Sequence, residues 1–145
     1  MSSLTLHGTT VALHGNGILI LGKPGMGKSS LALELIDRGA CLVADDQTCL
    51  NLEKDVIYAY CPLSLKGLIE VYGVGLCSFP SQDRVPLSLV IEICDLQEMS
   101  RLPDPTFVRY HGIKVPALKM AKHDPLASLK VEIKLNLTEV RKDYA

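Results

Sequence analysis

The sequence predicts an α/β fold, a mixed sheet flanked by two or three helices and built around a phosphate-binding loop. Three observations carry that expectation. Residues 22–29 read Gly22-Lys23-Pro24-Gly25-Met26-Gly27-Lys28-Ser29, a complete G-x-x-x-x-G-K-[ST] pattern. The apolar run Gly17-Ile18-Leu19-Ile20-Leu21 precedes it and reads as a buried strand. Leu31, Ala32, Leu35 and Ile36 follow at helical spacing, and Gly39 is placed to end that helix. Strand, glycine loop and helix N-terminus together turn orphan amides and a helix dipole into an anion site. At a glycine frequency of about 7%, the pattern arises by chance in roughly one chain of this length in a few hundred.

The other elements follow in chain order. Strands are expected over about 3–6 and 9–13, with a tight turn at His14-Gly15-Asn16-Gly17 leading into the strand over 18–21. An antiparallel hairpin ahead of the loop fits a mixed sheet and not a purely parallel one. The helix is expected over 28–38, and Cys41-Leu42-Val43-Ala44 is a compact strand ending at Asp45-Asp46. Residues 47–52 and 56–60 flank Glu53-Lys54-Asp55 as a second hairpin. The run from Leu87 to Cys94 is the longest strand-like stretch, and it too ends on an acid, Asp95. Pro103 and Pro105 break the chain after a short helical stretch. Asp124-Pro125 then caps and opens a closing helix over about 125–134, whose body carries Leu126, Leu129 and Ile133.

The 145 residues suit one domain, 1–145, long enough to bury a core. A hydrophobic fraction of 48% against 21% charged residues argues against disorder. A net charge of −1 supplies no basic field for nucleic acid. Residues 1–22 carry no charged side chain, but their glycines and polar residues prevent them from crossing a bilayer, and no signal-peptide layout is present. Cys41, Cys49, Cys61, Cys77 and Cys94 form no C-x-x-C pair and read as free thiols of a reducing cytoplasm. The apolar bias suits a surface partly covered by other subunits.

A phosphate loop binds nucleotide; chemistry needs a carboxylate as well. Lys28 can reach the β- and γ-phosphates of ATP, and the Ser29 hydroxyl can ligate the accompanying Mg²⁺. Asp45 and Asp46 end the strand after the loop helix, so they can stand beside the terminal phosphate, Asp46 as a proton acceptor. Asp95 is the rival acid, and a solvated turn is the alternative reading of the adjacent pair.

With these residues in place, the string LILGKPGMGKSSLALELIDRGACLVADD resembles the catalytic domain of HPr kinase/phosphorylase, which modifies a serine of the phosphocarrier HPr. Besides the Asp45-Asp46 pair that closes this string, three further features carry the resemblance: His7-Gly8, the stretch Ile69-Glu70-Val71-Tyr72-Gly73-Val74-Gly75, and Arg101-Leu102. It implies Lys28, Asp46, His7 and Arg101 as catalytic, with Ser29 and Glu70 as Mg²⁺ ligands; Asp45 is a further candidate ligand. It also implies a phosphoenolpyruvate-carboxykinase-like fold, HPr as substrate and a hexamer of identical subunits. Read singly, Glu70 suits either a cation or a surface-facing strand position, His7 either a structural or an active histidine, and Arg101 either phosphoryl charge or a solvated helix end.

The chain departs from the family pattern in three places. Tyr72 stands where the signature has Arg, and a tyrosine cannot replace a fixed cation. Residues 119–125 lack the Gly and Arg of the family loop tied to dephosphorylation. The chain reads as a short form without the N-terminal domain of longer members. Kinase activity is therefore expected over phosphorylase activity.

Overall fold

The computed structural model describes residues 3–62 and 66–144, with side chains up to residue 136. Strands β1 (Leu4–Leu13) and β2 (Asn16–Leu21) lead through the glycine loop to helix α1 (Lys28–Asp37). Strands β3 (Cys41–Ala44), β4 (Gln47–Glu53) and β5 (Val56–Tyr60) follow, then a separate two-stranded hairpin of β6 (Leu68–Val71) and β7 (Gly75–Ser78). Strand β8 (Arg84–Cys94), a one-turn 3₁₀ helix (Leu96–Glu98), β9 (Thr106–Tyr110), β10 (Ile113–Ala121) and helix α2 (Ala127–Tyr144) complete the chain. The mixed α/β class is the one the sequence predicts.

Two-residue turns with both residues in the left-handed region set the meander. His14 and Gly15 have φ of 51° and 79°, and Lys54 and Asp55 have 49° and 66°. Such turns match the twist of the flanking strands. The first turn lies at His14-Gly15, so Asn16 and Gly17 already belong to β2.

Where the sequence suggests two strands, over 3–6 and 9–13, a single β1 forms. Gly8 explains the difference. A Cβ there would stand 2.8 Å from Leu21 Cδ2 and 2.9 Å from the Ile20 carbonyl oxygen, so only glycine lets β2 cross so closely. At this point β1 also changes partners: Leu4 to His7 pair with β4, and Gly8 onward with β2. β8 divides its pairing in the same way between β5 and β2, which closes the strands β2-β1-β4-β5-β8 into a ring.

This layout makes two cores. Ile18 and Ile20 of β2, Leu89 and Ile91 of β8, and Val11 and Leu13 of β1 face α1 and α2, meeting Leu31, Leu35 and Val131. The alternate residues Leu19, Val90 and Ala12 join Leu50, Ile57, Ala59 and Val85 in the second cluster. A strand buried on both faces needs an unbroken apolar run, which is why 17–21 and 87–94 are legible as strands.

Strands β9 and β10 go beyond the sequence reading. Their turn, His111-Gly112 with φ of 50° and 79°, repeats the dipeptide of the first hairpin. Pro116 masks the strand signal, yet it lies just ahead of residues 117–121 that pair with β8. The closing helix starts later than expected, at Ala127, and runs further. Among the described residues no helix is long and apolar enough to cross a membrane.

Asp124 anchors the start of α2. Its Oδ1 accepts the Leu126 N–H at 2.9 Å and its Oδ2 pairs with the Lys130 ammonium. The Lys130 hydrogen bond, aided by the Leu126 amide and opposed by burial, holds the Asp124 carboxyl below its usual value. A depressed carboxyl stabilises the fold above the unfolded pKa of about 3.9 and loses that contribution as pH falls through the lower folded value. Asp124→Ala is expected to cost about 0.5–2 kcal/mol and to remove this acid sensitivity. Urea unfolding of both proteins at neutral pH and near pH 3 checks it: the gap between them should shrink in acid.

Candidate active site

Strands β2, β3, β8 and β10 run in one direction and finish at one edge, because β1 is antiparallel to both β2 and β3 while β2, β8 and β10 are mutually parallel. The connections leaving those ends therefore gather there: the glycine loop, Asp45-Asp46, Asp95 and the 122–126 segment. Ligands of α/β sheets bind at such carboxyl edges.

The loop turns sharply enough to need glycine at its end. Gly27 caps α1 at φ 96°, a left-handed conformation that side chains rarely adopt. The Lys28 ammonium donates to the Gly22 carbonyl oxygen at 2.8 Å, bracing the two ends of the loop against each other. Ser29 Oγ donates to Asp45 Oδ1 at 3.1 Å.

The two neighbouring aspartates part company. Asp45 is half-buried and accepts a second hydrogen bond from the Thr9 hydroxyl at 2.8 Å. Thr9 in turn accepts the Asp46 N–H at 3.3 Å. Asp46 is exposed and left-handed, with φ 67°, a conformation more accessible to Asp and Asn than to most residues. Asp45 thus looks to the loop helix, while Asp46 stands in the open.

A cleft of about 810 Å³ unites His7, Thr9, Lys28, Ser29, Asp46 and Tyr72 with Gly22, Pro24, Gly25 and Gly27 of the loop. Thr9 goes unremarked in the sequence, although it is 1% exposed and couples both aspartates. Strand alternation is the signal for it, since Thr9 shares its face of β1 with His7.

Other sequence-selected residues stand elsewhere. Lys23 and Met26 line cavities on the flanks of the loop. Asp95 is ion-paired with Lys122 at 3.1 Å and lines one of those flanking cavities. Glu70 is an exposed residue of β6 and does not line the cleft, whereas Tyr72, just beyond that strand, does. Arg101 lies after the 3₁₀ helix and lines a cavity of about 520 Å³ with Lys119 and Lys130.

Among the described residues no group of three or more His, Cys, Asp or Glu side chains is placed to hold a metal by itself. The Ser29 hydroxyl and the Asp45 carboxylate nevertheless suit Mg²⁺, which prefers hard oxygens and completes its shell with phosphates and water. Loop, hydroxyl and two acids define the class: a phosphate-binding-loop α/β protein with a carboxylate in the same cleft.

The comparisons narrow the class. The profile of the HPr Serine kinase C-terminal domain matches residues 1–120. HPr kinase/phosphorylase of Cupriavidus metallidurans is 36% identical over 128 residues, 81% of this chain and 40% of that protein. The enzyme of the same name from Bordetella pertussis is 51% identical over 73 residues, 50% of this chain and 24% of its own. The structure of the Hpr(Ser) kinase/phosphatase from Coxiella burnetii superposes with a TM-score of 0.85 at 27% identity, covering 97% of this chain and 99% of that one. The chain belongs to the HPr serine kinase C-terminal domain family. Its fold is the phosphoenolpyruvate-carboxykinase-like kind. It spans about 40% of the length of the curated relatives it matches.

Proposed function

We propose that the protein is an ATP-dependent protein-serine kinase acting on an HPr-type phosphocarrier. The observation that carries this reading is the single cleft shared by Lys28, Asp46 and His7. In the transfer, the serine oxygen attacks the γ-phosphorus, the bond from that phosphorus to the oxygen of ADP breaks, and the hydroxyl proton passes to the Asp46 carboxylate. Lys28 offsets charge on the β- and γ-phosphates, and the loop amides hold the phosphates in line. Ser29 and Asp45 would hold Mg²⁺, which would supply further neutralisation of the phosphate oxygens. In this reading His7, which lines the same cleft, assists proton movement.

Glu70 as a metal ligand and Arg101 as a phosphoryl cation rest on the family resemblance alone, since neither lines the cleft. The reverse, phosphorylase direction is the weaker one in this reading, because Tyr72 occupies the cleft where the family signature carries a cation. Residues 1–145 act as one catalytic domain in the cytoplasm, where free thiols persist. Exposed Leu96, Leu102 and Phe107 support assembly of identical subunits, a hexamer by resemblance. Transfer of label from γ-phosphate-labelled ATP to purified HPr, with HPr lacking its acceptor serine as control, tests the reading. Label that stays on ATP with both substrates refutes it.

A further inference from the structure

Among the described residues, four hydroxyl side chains line the cleft: Thr9, Ser29, Ser30 and Tyr72. The first three are engaged or belong to the phosphate cradle. Thr9 is buried and donates to Asp45, and Ser29 donates to the same carboxylate. Ser30 lies in the first turn of α1, whose free amides suit phosphate. Tyr72 differs on both counts. It is 101% exposed, and it comes from the turn between β6 and β7 rather than from the loop or the helix.

That turn holds a fixed position. The Val74 N–H donates to the Val71 carbonyl oxygen at 2.9 Å, which makes Tyr72 second and Gly73 third in a four-residue turn. Gly73 has φ 83°, the left-handed value that such a turn demands of its third residue. Below it, Ile69 is fully buried in the core that faces α1, and Val71 packs against that core. The segment after β7 is tied to β3. The Leu42 N–H donates to the Pro80 carbonyl oxygen at 2.9 Å, and the Gln82 N–H returns to the Leu42 carbonyl oxygen at 2.9 Å. Strand β3 ends at Asp45-Asp46, so one strand anchors both the acids and the hairpin that carries Tyr72.

Phosphoryl transfer sets a requirement on the acceptor. Attacking and leaving oxygens stand roughly in line across the γ-phosphorus, so the acceptor approaches from beyond the terminal phosphate and not from the loop that grips the chain. A proton acceptor must be within reach of the same oxygen. Tyr72 and Asp46 line one cleft and come from two elements outside the loop. We infer that Tyr72 is a self-phosphorylation site: with no protein substrate bound, it accepts the γ-phosphoryl group of ATP held in the cleft of its own chain. The phenolic oxygen attacks the γ-phosphorus, the bond from that phosphorus to the oxygen of ADP breaks, and the phenolic proton passes to the Asp46 carboxylate. Phosphotyrosine and ADP are the products. This rests on the reading of the cleft as an ATP site. The family signature has arginine at this position, so the acceptor belongs to this chain's own sequence.

The test incubates the purified protein with Mg²⁺ and γ-phosphate-labelled ATP, without HPr. Phosphoamino-acid analysis and mass spectrometry of fragments then locate the label, which is expected as phosphotyrosine at Tyr72. Tyr72→Phe keeps the ring, loses the hydroxyl and should stay unlabelled. Asp46→Asn should label at least about a hundredfold more slowly. Tyr60→Phe, at a tyrosine of β5 that does not line the cleft, should label as the wild type does. Circular dichroism confirms that the variants fold. A mixture of the Tyr72→Phe and Asp46→Asn proteins should label no faster than Asp46→Asn alone, since neither chain holds both acceptor and base. Faster labelling of the mixture means transfer between chains, and label on a serine, a threonine or another tyrosine means a different acceptor; either overturns the inference. So does label that persists in Tyr72→Phe, or at full rate in Asp46→Asn. HPr that takes up label while the chain takes none removes Tyr72 as an acceptor and leaves the kinase reading standing. Label on neither refutes both.

Discussion

Asp46→Asn protein is expected to bind ATP nearly as well as the wild type while transferring phosphate to the HPr serine at least about a hundredfold more slowly. The magnitude is that of removing a general base from a proton-transfer step, roughly 10²–10⁴. Asparagine has the same shape and tolerates the left-handed backbone at φ 67°, so the change removes the proton acceptor and little else. Asp46 accepts none of the hydrogen bonds that hold the loop; the Ser29 and Thr9 hydroxyls both go to Asp45. Asp95→Asn is the matched control. Its carboxylate is engaged by Lys122 in another cavity, and its loss should leave the transfer rate close to that of the wild type. Label transfer under single-turnover conditions and calorimetry with ATP make the two measurements. A reversal, with Asp95→Asn inactive and Asp46→Asn active, would move the chemistry to the other flank of the loop.

Lys28→Met is expected to weaken ATP binding by about ten- to a hundredfold and to reduce serine phosphorylation further still. Methionine keeps much of the length and apolar stem but deletes the ammonium. A hydrogen bond to a charged group contributes about 1.5–3 kcal/mol, which corresponds to that change in affinity. In the structure the ammonium donates to the Gly22 carbonyl oxygen and braces the loop. In the proposed reading the same group faces the phosphates of ATP, and charge gathered during transfer strengthens its effect. Affinity and rate therefore should not fall in proportion; the rate should fall more. ATP affinity unchanged by the substitution would mean that the phosphates lie outside the glycine loop.

The glycine loop is legible because its chemistry and its geometry share one short string: Gly25 and Gly27 have φ of 82° and 96°, and Lys28 and Ser29 open the helix at once. Buried strands are legible for a similar reason, since Ile18 to Ile20 and Leu89 to Ile91 must be apolar on both faces. β9 and β10 are not, because Pro116 and short, half-exposed runs imitate a loop, and only pairing with β8 makes them strands. Thr9 is missed for another reason. Strand alternation puts Thr9 on the face of His7, but a threonine in an apolar strand does not show its partners until Asp45 and the Asp46 amide arrive from the turn after β3.

The linear order of residues by itself determined the strand, glycine turn and helix start of a phosphate-binding-loop pattern in this chain, because these are local and need no distant partner. Its acids were equally visible as strand endings, but not their employment. Only the tertiary structure separated Asp45, bonded to Ser29, from Asp46, open to the cleft, and set Asp95 against Lys122. The reason is physical: a side chain's role depends on which neighbours the sheet order brings within hydrogen-bond reach. That order is decided by burial across the whole sheet, with β1 lying between β2 and β3.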